Sequence, residues 1–171
     1  MYSHRARSVG LVPFVLALPF VFLSCAVVPS VASPTATARS GAVPFEDVAR
    51  TTNATYDGGP AIIVGTTDVS ESAIVRSVPG VARRPGRVLL VAMQGSQPTA
   101  GYAIRIDTLE RDGDRLLVHA TFIAPAPGAI TAQILTAPAH VIAIAPTALT
   151  GLHTAVLLDG AGVERSRVTL P

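Results

Sequence analysis

Hydrophobic and polar residues alternate most clearly between Tyr102 and Leu109. Tyr102, Ile104, Ile106 and Thr108 fall on one side, and Ala103, Arg105 and Asp107 on the other. A period of two predicts a half-buried β-strand. Leu116–Ile123 repeats the pattern with Leu116, Val118, Ala120 and Phe122 on one face. Arg111-Asp112-Gly113-Asp114, between the two runs, predicts a hairpin. Upstream, Arg87–Met93 ends in a continuous apolar run from Val88, which predicts a central strand. Ala61–Thr66 follows the turn-forming Asp57-Gly58-Gly59-Pro60 and predicts another strand, and Ala73–Val78 a weaker one. Ala124-Pro125-Ala126-Pro127-Gly128 interrupts the pattern. Beyond it, Ala129–Thr136 and His140–Ile144 flank Ala137-Pro138. Thr154–Leu158 and Val163–Leu170 flank a second hairpin signal, Asp159-Gly160-Ala161-Gly162. Proline spacing opposes a long helix after residue 60 and leaves Pro44–Ala54 as the place for a short one. There is no internal repeat. Several short strands with turn signals between them predict an all-β fold, a single β-sandwich or barrel-like domain.

The first 25 residues follow a different logic. Arg5 and Arg7 precede Val9–Leu23, an apolar run of fifteen residues broken by Pro13 and Pro19. A spanning helix needs about 20 apolar residues, whereas a basic start and a shorter apolar run form an export signal. Leu23-Ser24-Cys25 places a small residue before the only cysteine of the chain. This is similar to a bacterial lipobox, in which the cysteine is acylated and becomes the new N-terminus. The alternative is an ordinary signal peptide cut nearby or at a site such as Val31-Ala32-Ser33. Residues 26–44 are Ala, Ser, Thr, Val, Pro and one Gly with a single charge, Arg39, and read as a flexible tether. The expected division is therefore a signal at 1–25, a tether at 26–44 and a β-rich domain at 45–171.

Charge changes the picture once the signal is set aside. The chain has 13 basic residues, all arginine, against 11 acidic ones, and a pI near 9.2. Arg5 and Arg7 leave with the signal, so the remainder is balanced. The basic pI then carries no argument for nucleic acid or an acidic surface. With Cys25 in the signal region, the folded part has no cysteine, hence no disulfide framework and no thiolate chemistry.

The candidate recognition element is the loop Gly95-Ser96-Gln97-Pro98-Thr99-Ala100-Gly101-Tyr102, set between two predicted strands. Pro98 fixes its own φ and biases Gln97 toward extended backbone. Gly95 and Gly101 permit positive φ or the close approach of another chain segment. Such a loop either carries recognition on a rigid scaffold or sets strand register. Tyr102 continues the alternation of Ile104 and Ile106, which favours a core position over the alternative of an exposed anchor entering a partner pocket. On the core reading Thr99 is the better candidate for contact, supported by the backbone amides of Ala100 and Gly101.

From about Arg87 to Ala145 the chain resembles the C-terminal domain of the PrcB family, bacterial envelope proteins named for a subunit of a surface protease complex. The resemblance rests on Gly95, Pro98, Thr99, Gly101 and Tyr102, on Asp112-Gly113-Asp114, and on Thr136-Ala137-Pro138 followed by His140-Val141-Ile142. Ala100 stands where a second glycine is usual, and Ala139 where an aromatic commonly follows the proline. The resemblance implies a lipid-anchored or exported envelope protein that binds a protein partner, such as a secreted or surface peptidase. Its location would be the outer or cytoplasmic membrane, or otherwise the periplasm or medium. Gln97–Tyr102 is also similar to the Asn-Pro-Thr-Thr-Gly-Tyr loop of chagasin-type cysteine-peptidase inhibitors. That likeness implies a wedge entering a peptidase cleft, although Arg84-Pro85-Gly86 lacks the aromatic of the second inhibitor loop.

No enzyme signature accompanies these features. Ser96 is not in a nucleophile elbow. His119, His140 and His153 show no paired metal-ligand spacing and are expected as ordinary strand histidines. Asp112 and Asp114 belong to a hairpin, since a calcium loop needs more oxygen ligands at regular spacing. The expectation is a non-enzymatic binding domain with no cofactor, no metal and no nucleic-acid partner. The alternatives are a peptidase inhibitor or a structural envelope lipoprotein.

Overall fold

The computed structural model describes residues 41–171. The signal, Cys25 and most of the tether lie outside the described residues. Eight strands form two four-stranded sheets. They are β1 (Phe45–Thr51), β2 (Ala61–Val64), β3 (Val88–Met93), β4 (Ala103–Asp112), β5 (Arg115–Ile123), β6 (Ala139–Ile144), β7 (Thr154–Leu158) and β8 (Glu164–Thr169). One sheet has the order β1-β6-β3-β2, the other β4-β5-β7-β8. All pairings are antiparallel except β5 with β7. One helix, α1 (Asp68–Ser77), covers the outer face of the first sheet. The expected all-β sandwich is the observed fold, with this helix added.

Two apolar clusters follow from that layering. Leu90, Ala92, Ile142 and Ile144 face inward and meet Ile104, Ile106, Leu109, Leu116 and Val118 of the second sheet. Leu89, Val91, Met93, Val141 and Ala143 face the other way and pack under Ile74 and Val78. β3 and β6 are thus covered on both faces, which is why Val88–Met93 is apolar without alternation. Ile74 has no exposure, and its burial is worth about 1.5–3 kcal/mol to the docking of α1.

Four expectations need correction. Ala73–Val78 is not a strand: Ala73–Ser77 is the end of α1, with Ile74 as its buried residue, and Val78 is its buried C-cap. The start of α1 is fixed by a capping box, in which Thr67 Oγ1 accepts from Ser70 N and Ser70 Oγ from Thr67 N. Pro44–Ala54 does not hold a helix but contains β1. A bulge between Asp47 and Ala49 breaks the two-residue period there, so the alternation that marks a strand is interrupted. A second bulge, between Ile106 and Thr108, turns Thr108 outward and brings Leu109 into the core instead. Finally, Ala129–Thr136 forms no strand. Ile130, Ile134 and Leu135 are exposed, because the segment lies against the Gly95–Tyr102 loop rather than in a sheet.

The edge of β4 is covered by chain from the end of the expected tether. Val43 N donates to Leu109 O at 2.9 Å and Arg111 N to Gly41 O at 2.7 Å. These contacts protect backbone groups that an edge strand would leave open.

Candidate functional site

The loop begins where β3 leaves the sheet. Gln94 N donates to Pro138 O at 2.9 Å, and Gln94 Nε2 reaches across to Ile123 O at 3.1 Å. Gly95 follows with φ +89°, buried against the Gly58-Gly59 turn. A Cβ at this position would stand 2.7 Å from Gly58 O, so both the dihedral and the space call for glycine. Ser96 N donates to that same Gly58 oxygen.

The rest of the loop lies along the segment that precedes β6. Gln97 and Thr136 exchange backbone hydrogen bonds at 2.7 and 2.9 Å. Thr136 Oγ1 donates to Thr99 O at 3.0 Å. Ala100 N donates to Ala132 O at 3.0 Å. Gly101, at φ +94°, passes close to Pro125 and Thr131. The two segments therefore form one unit, fastened at three successive points.

The proposed contact residues are placed accordingly. Pro98 is exposed at the tip, while Gln97, Thr99, Ala100 and Tyr102 are half-buried. The Ala100 amide is taken by Ala132, so it does not support a contact by Thr99. The Thr99 hydroxyl itself turns to the Ala100 carbonyl. Tyr102 belongs to neither apolar cluster; the inward face of β4 starts at Ile104. Ala139 is buried in the second cluster, so its small size bears on packing beneath α1 and not on a surface. Cys25 lies outside the described residues.

Sequence reasoning missed the partner of the loop. Ile130 is 103% exposed, Leu135 78% and Ile134 55%. Leu135 and Ser96 also border an open cavity of about 490 Å³, completed by Asn53–Asp57 and Thr136-Ala137. The readable signal was charge. Residues 88–104 and 120–139 contain no Asp, Glu or Arg in a chain that otherwise carries 24 such residues. An exposed apolar surface without charge is the composition found at the centre of protein interfaces.

The ionisable groups serve the scaffold. His119 faces outward on β5, 3.7 Å from Glu110. His153 lies just before β7, where its backbone N donates to Asp114 O and its O accepts from Leu170 N. His140 has no exposure; its Nδ1 accepts from Ile106 N at 2.8 Å, and its Nε2 is 2.5 Å from Asp47 Oδ1. Asp112 pairs with Arg115 across the hairpin. Asp107, the bulged residue of β4, is pushed up by burial but held lower overall by hydrogen bonds from Thr121 and Arg105. Among the described residues no histidine hydrogen-bonds a hydroxyl, and no cluster of three His, Asp or Glu side chains could hold a metal.

Residues 88–145 match the model of the PrcB C-terminal family. The match runs from the first residue of β3 to just past β6, and so spans both halves of the loop unit. Among curated proteins and solved structures, none matches the chain.

Proposed function

We propose that this chain is a non-enzymatic binding protein of the cell envelope, exported and lipid-anchored through Cys25, that holds a protein partner. The partner class that the family match favours is a secreted or surface peptidase, which the domain would support or stabilise. The observation that carries this reading is the loop unit itself. Ile130, Ile134 and Leu135 are displayed to solvent on a segment that Gln97, Thr99 and Ala100 hold in place. Presenting large apolar side chains to water has no structural benefit, and a rigid backbone beneath them lowers the entropy lost on binding. The inhibitor reading is weaker, because Gln97–Ala100 lies down on a neighbouring segment instead of projecting as a wedge.

The test is retention. The purified protein is incubated with envelope and secreted extracts, and the retained fraction is identified and assayed for proteolysis. An active peptidase, lost when Leu135 is made polar, supports the proposal. A retained but silenced peptidase means inhibition. Recovery of no peptidase removes the peptidase partner from the reading.

A further inference from the structure

Of the described ionisable side chains, His140 alone has no exposure. It lies on the inner face of β6, in line with Ile142 and Ile144, and its ring joins three strands. β4 is an edge strand, so the N–H of Ile106 that turns away from β5 has no strand partner, and His140 Nδ1 accepts it at 2.8 Å. A nitrogen that accepts is unprotonated, which places the ring hydrogen on Nε2. Nε2 then donates to Asp47 Oδ1, 2.5 Å away on β1. Arg50 Nε stands 3.2 Å from the same nitrogen. Both atoms carry hydrogens in this tautomer, so the working bond of Arg50 is its 2.7 Å pair with Asp47 Oδ2. Each strand that the ring touches is bulged at that contact, β1 after Asp47 and β4 after Ile106.

We propose that His140 is a pH-sensitive clasp between the two sheets, closed while the imidazole is neutral and opened by its protonation. The incoming proton must settle on Nδ1, because Nε2 already holds one. Nδ1–H then faces the Ile106 N–H, donor against donor, and the link from β6 to β4 is lost. Three charged groups bear on the ring. Burial is the largest influence and lowers the pKa below the ordinary value of 6.5; Asp47 opposes it, Arg50 assists it, and Asp107 on the β4 bulge opposes it weakly. Arg105 pairs with Asp107 at 2.6 Å. The closed form therefore favours the neutral ring. Its advantage is complete above about pH 6.5 and drains as the pH falls toward the depressed value. Ile106 lies shortly after the loop and His140 shortly after Thr136, so opening would loosen the roots of both segments of the loop unit.

Hydrogen exchange at the Ile106 amide of the full-length chain, corrected for intrinsic rate, tests this. Protection should fall progressively as the pH drops below about 6.5, and imidazole ¹⁵N shifts should report hydrogen on Nε2 at neutral pH. His140→Gln retains an acceptor and a donor without titrating, and its Ile106 protection should be flat. Asp47→Asn alters an exposed side chain and removes the charge that favours imidazolium, so the wild-type transition should move to lower pH. Constant protection in the wild type, an equal fall in His140→Gln, an unmoved transition in Asp47→Asn, or hydrogen on Nδ1 would each overturn the proposal.

Discussion

Gln97 and Thr136 face each other as a reciprocal backbone pair, and the Thr136 hydroxyl extends the contact to Thr99 O at 3.0 Å. Thr136 is 5% exposed, so this donor is removed from water. Thr136→Val keeps the branched shape and deletes the hydroxyl, leaving the Thr99 carbonyl short of a donor. The expected loss is about 1 kcal/mol, read as a lower urea midpoint, together with faster amide exchange at Gln97 and Ala100. An unchanged midpoint and exchange would make the hydroxyl dispensable to the loop.

Gly95 and Gly128 separate dihedral strain from crowding. Both have positive φ, +89° and +78°. A Cβ at Gly128 meets nothing within 4 Å, whereas one at Gly95 meets the Gly58-Gly59 backbone at 2.7 Å. Gly128→Ala should cost about 1–2 kcal/mol from the left-handed conformation alone. Gly95→Ala should cost clearly more, because crowding in a packed site adds about 1–3 kcal/mol. Thermal unfolding of the two variants side by side checks this, and equal losses would mean that the Gly58-Gly59 turn moves aside freely.

The strands were legible where a single rule decided each position. β5 alternates after the Asp112-Gly113 turn and β4 does so up to Ile106, and β3 is apolar because it is covered on both faces. The errors lie where a second rule intervenes. Both bulges shift the phase of alternation, which hid β1 and misplaced Thr108. α1 was hidden because Ala73–Val78 also fits a short apolar strand, and its capping box closes with Ser70 in place of the Glu or Gln that marks such a start in sequence. At the candidate site, the loop was readable from its glycines and proline. Its fastening to Ala132 and Thr136 was not, since such pairing depends on where the backbone of a distant segment runs.

Thr67→Ala tests the helix start. The substitution removes the hydroxyl that accepts from Ser70 N and leaves the backbone N–H of residue 67 to donate to Ser70 Oγ. Loss of an N-cap of this type costs about 1 kcal/mol. The loss should appear as a lower unfolding midpoint, while Thr67→Ser, which keeps the oxygen, stays near wild type. Equal losses in both variants would point to the methyl group rather than the cap.

Asp159 gives the fold an acid-sensitive turn. Its carboxylate accepts from Val163 N and Ala161 N at 2.9 Å and pairs with Arg165. The Val163 amide foremost, with Arg165 and the Ala161 amide, holds its pKa below the usual 3.8. A depressed carboxylate stabilises the folded state above its unfolded value, and that contribution is lost as the pH falls through the folded one. Asp159→Asn should therefore be less stable than wild type at pH 6, with the gap narrowing below about pH 4. Thermal midpoints from pH 6 to 2.5 provide the comparison. A gap that stays constant with pH would assign the difference to lost geometry rather than charge.

Leu135→Ser addresses the uncharged face directly. Leu135 is 78% exposed, so the folded domain gains little from it and the unfolding midpoint should stay within about 0.5 kcal/mol of wild type. If the partner covers this side chain, its truncation removes a burial worth about 1.5–3 kcal/mol, about ten- to a hundredfold in affinity. Val69 supplies the control, being 77% exposed on α1 and outside the two uncharged stretches. Val69→Ser should leave retention of the partner unchanged. Binding isotherms of both variants against the retained partner decide the matter: a selective loss in Leu135→Ser places the interface on the loop unit. Equal affinity in both would move it elsewhere on the sandwich.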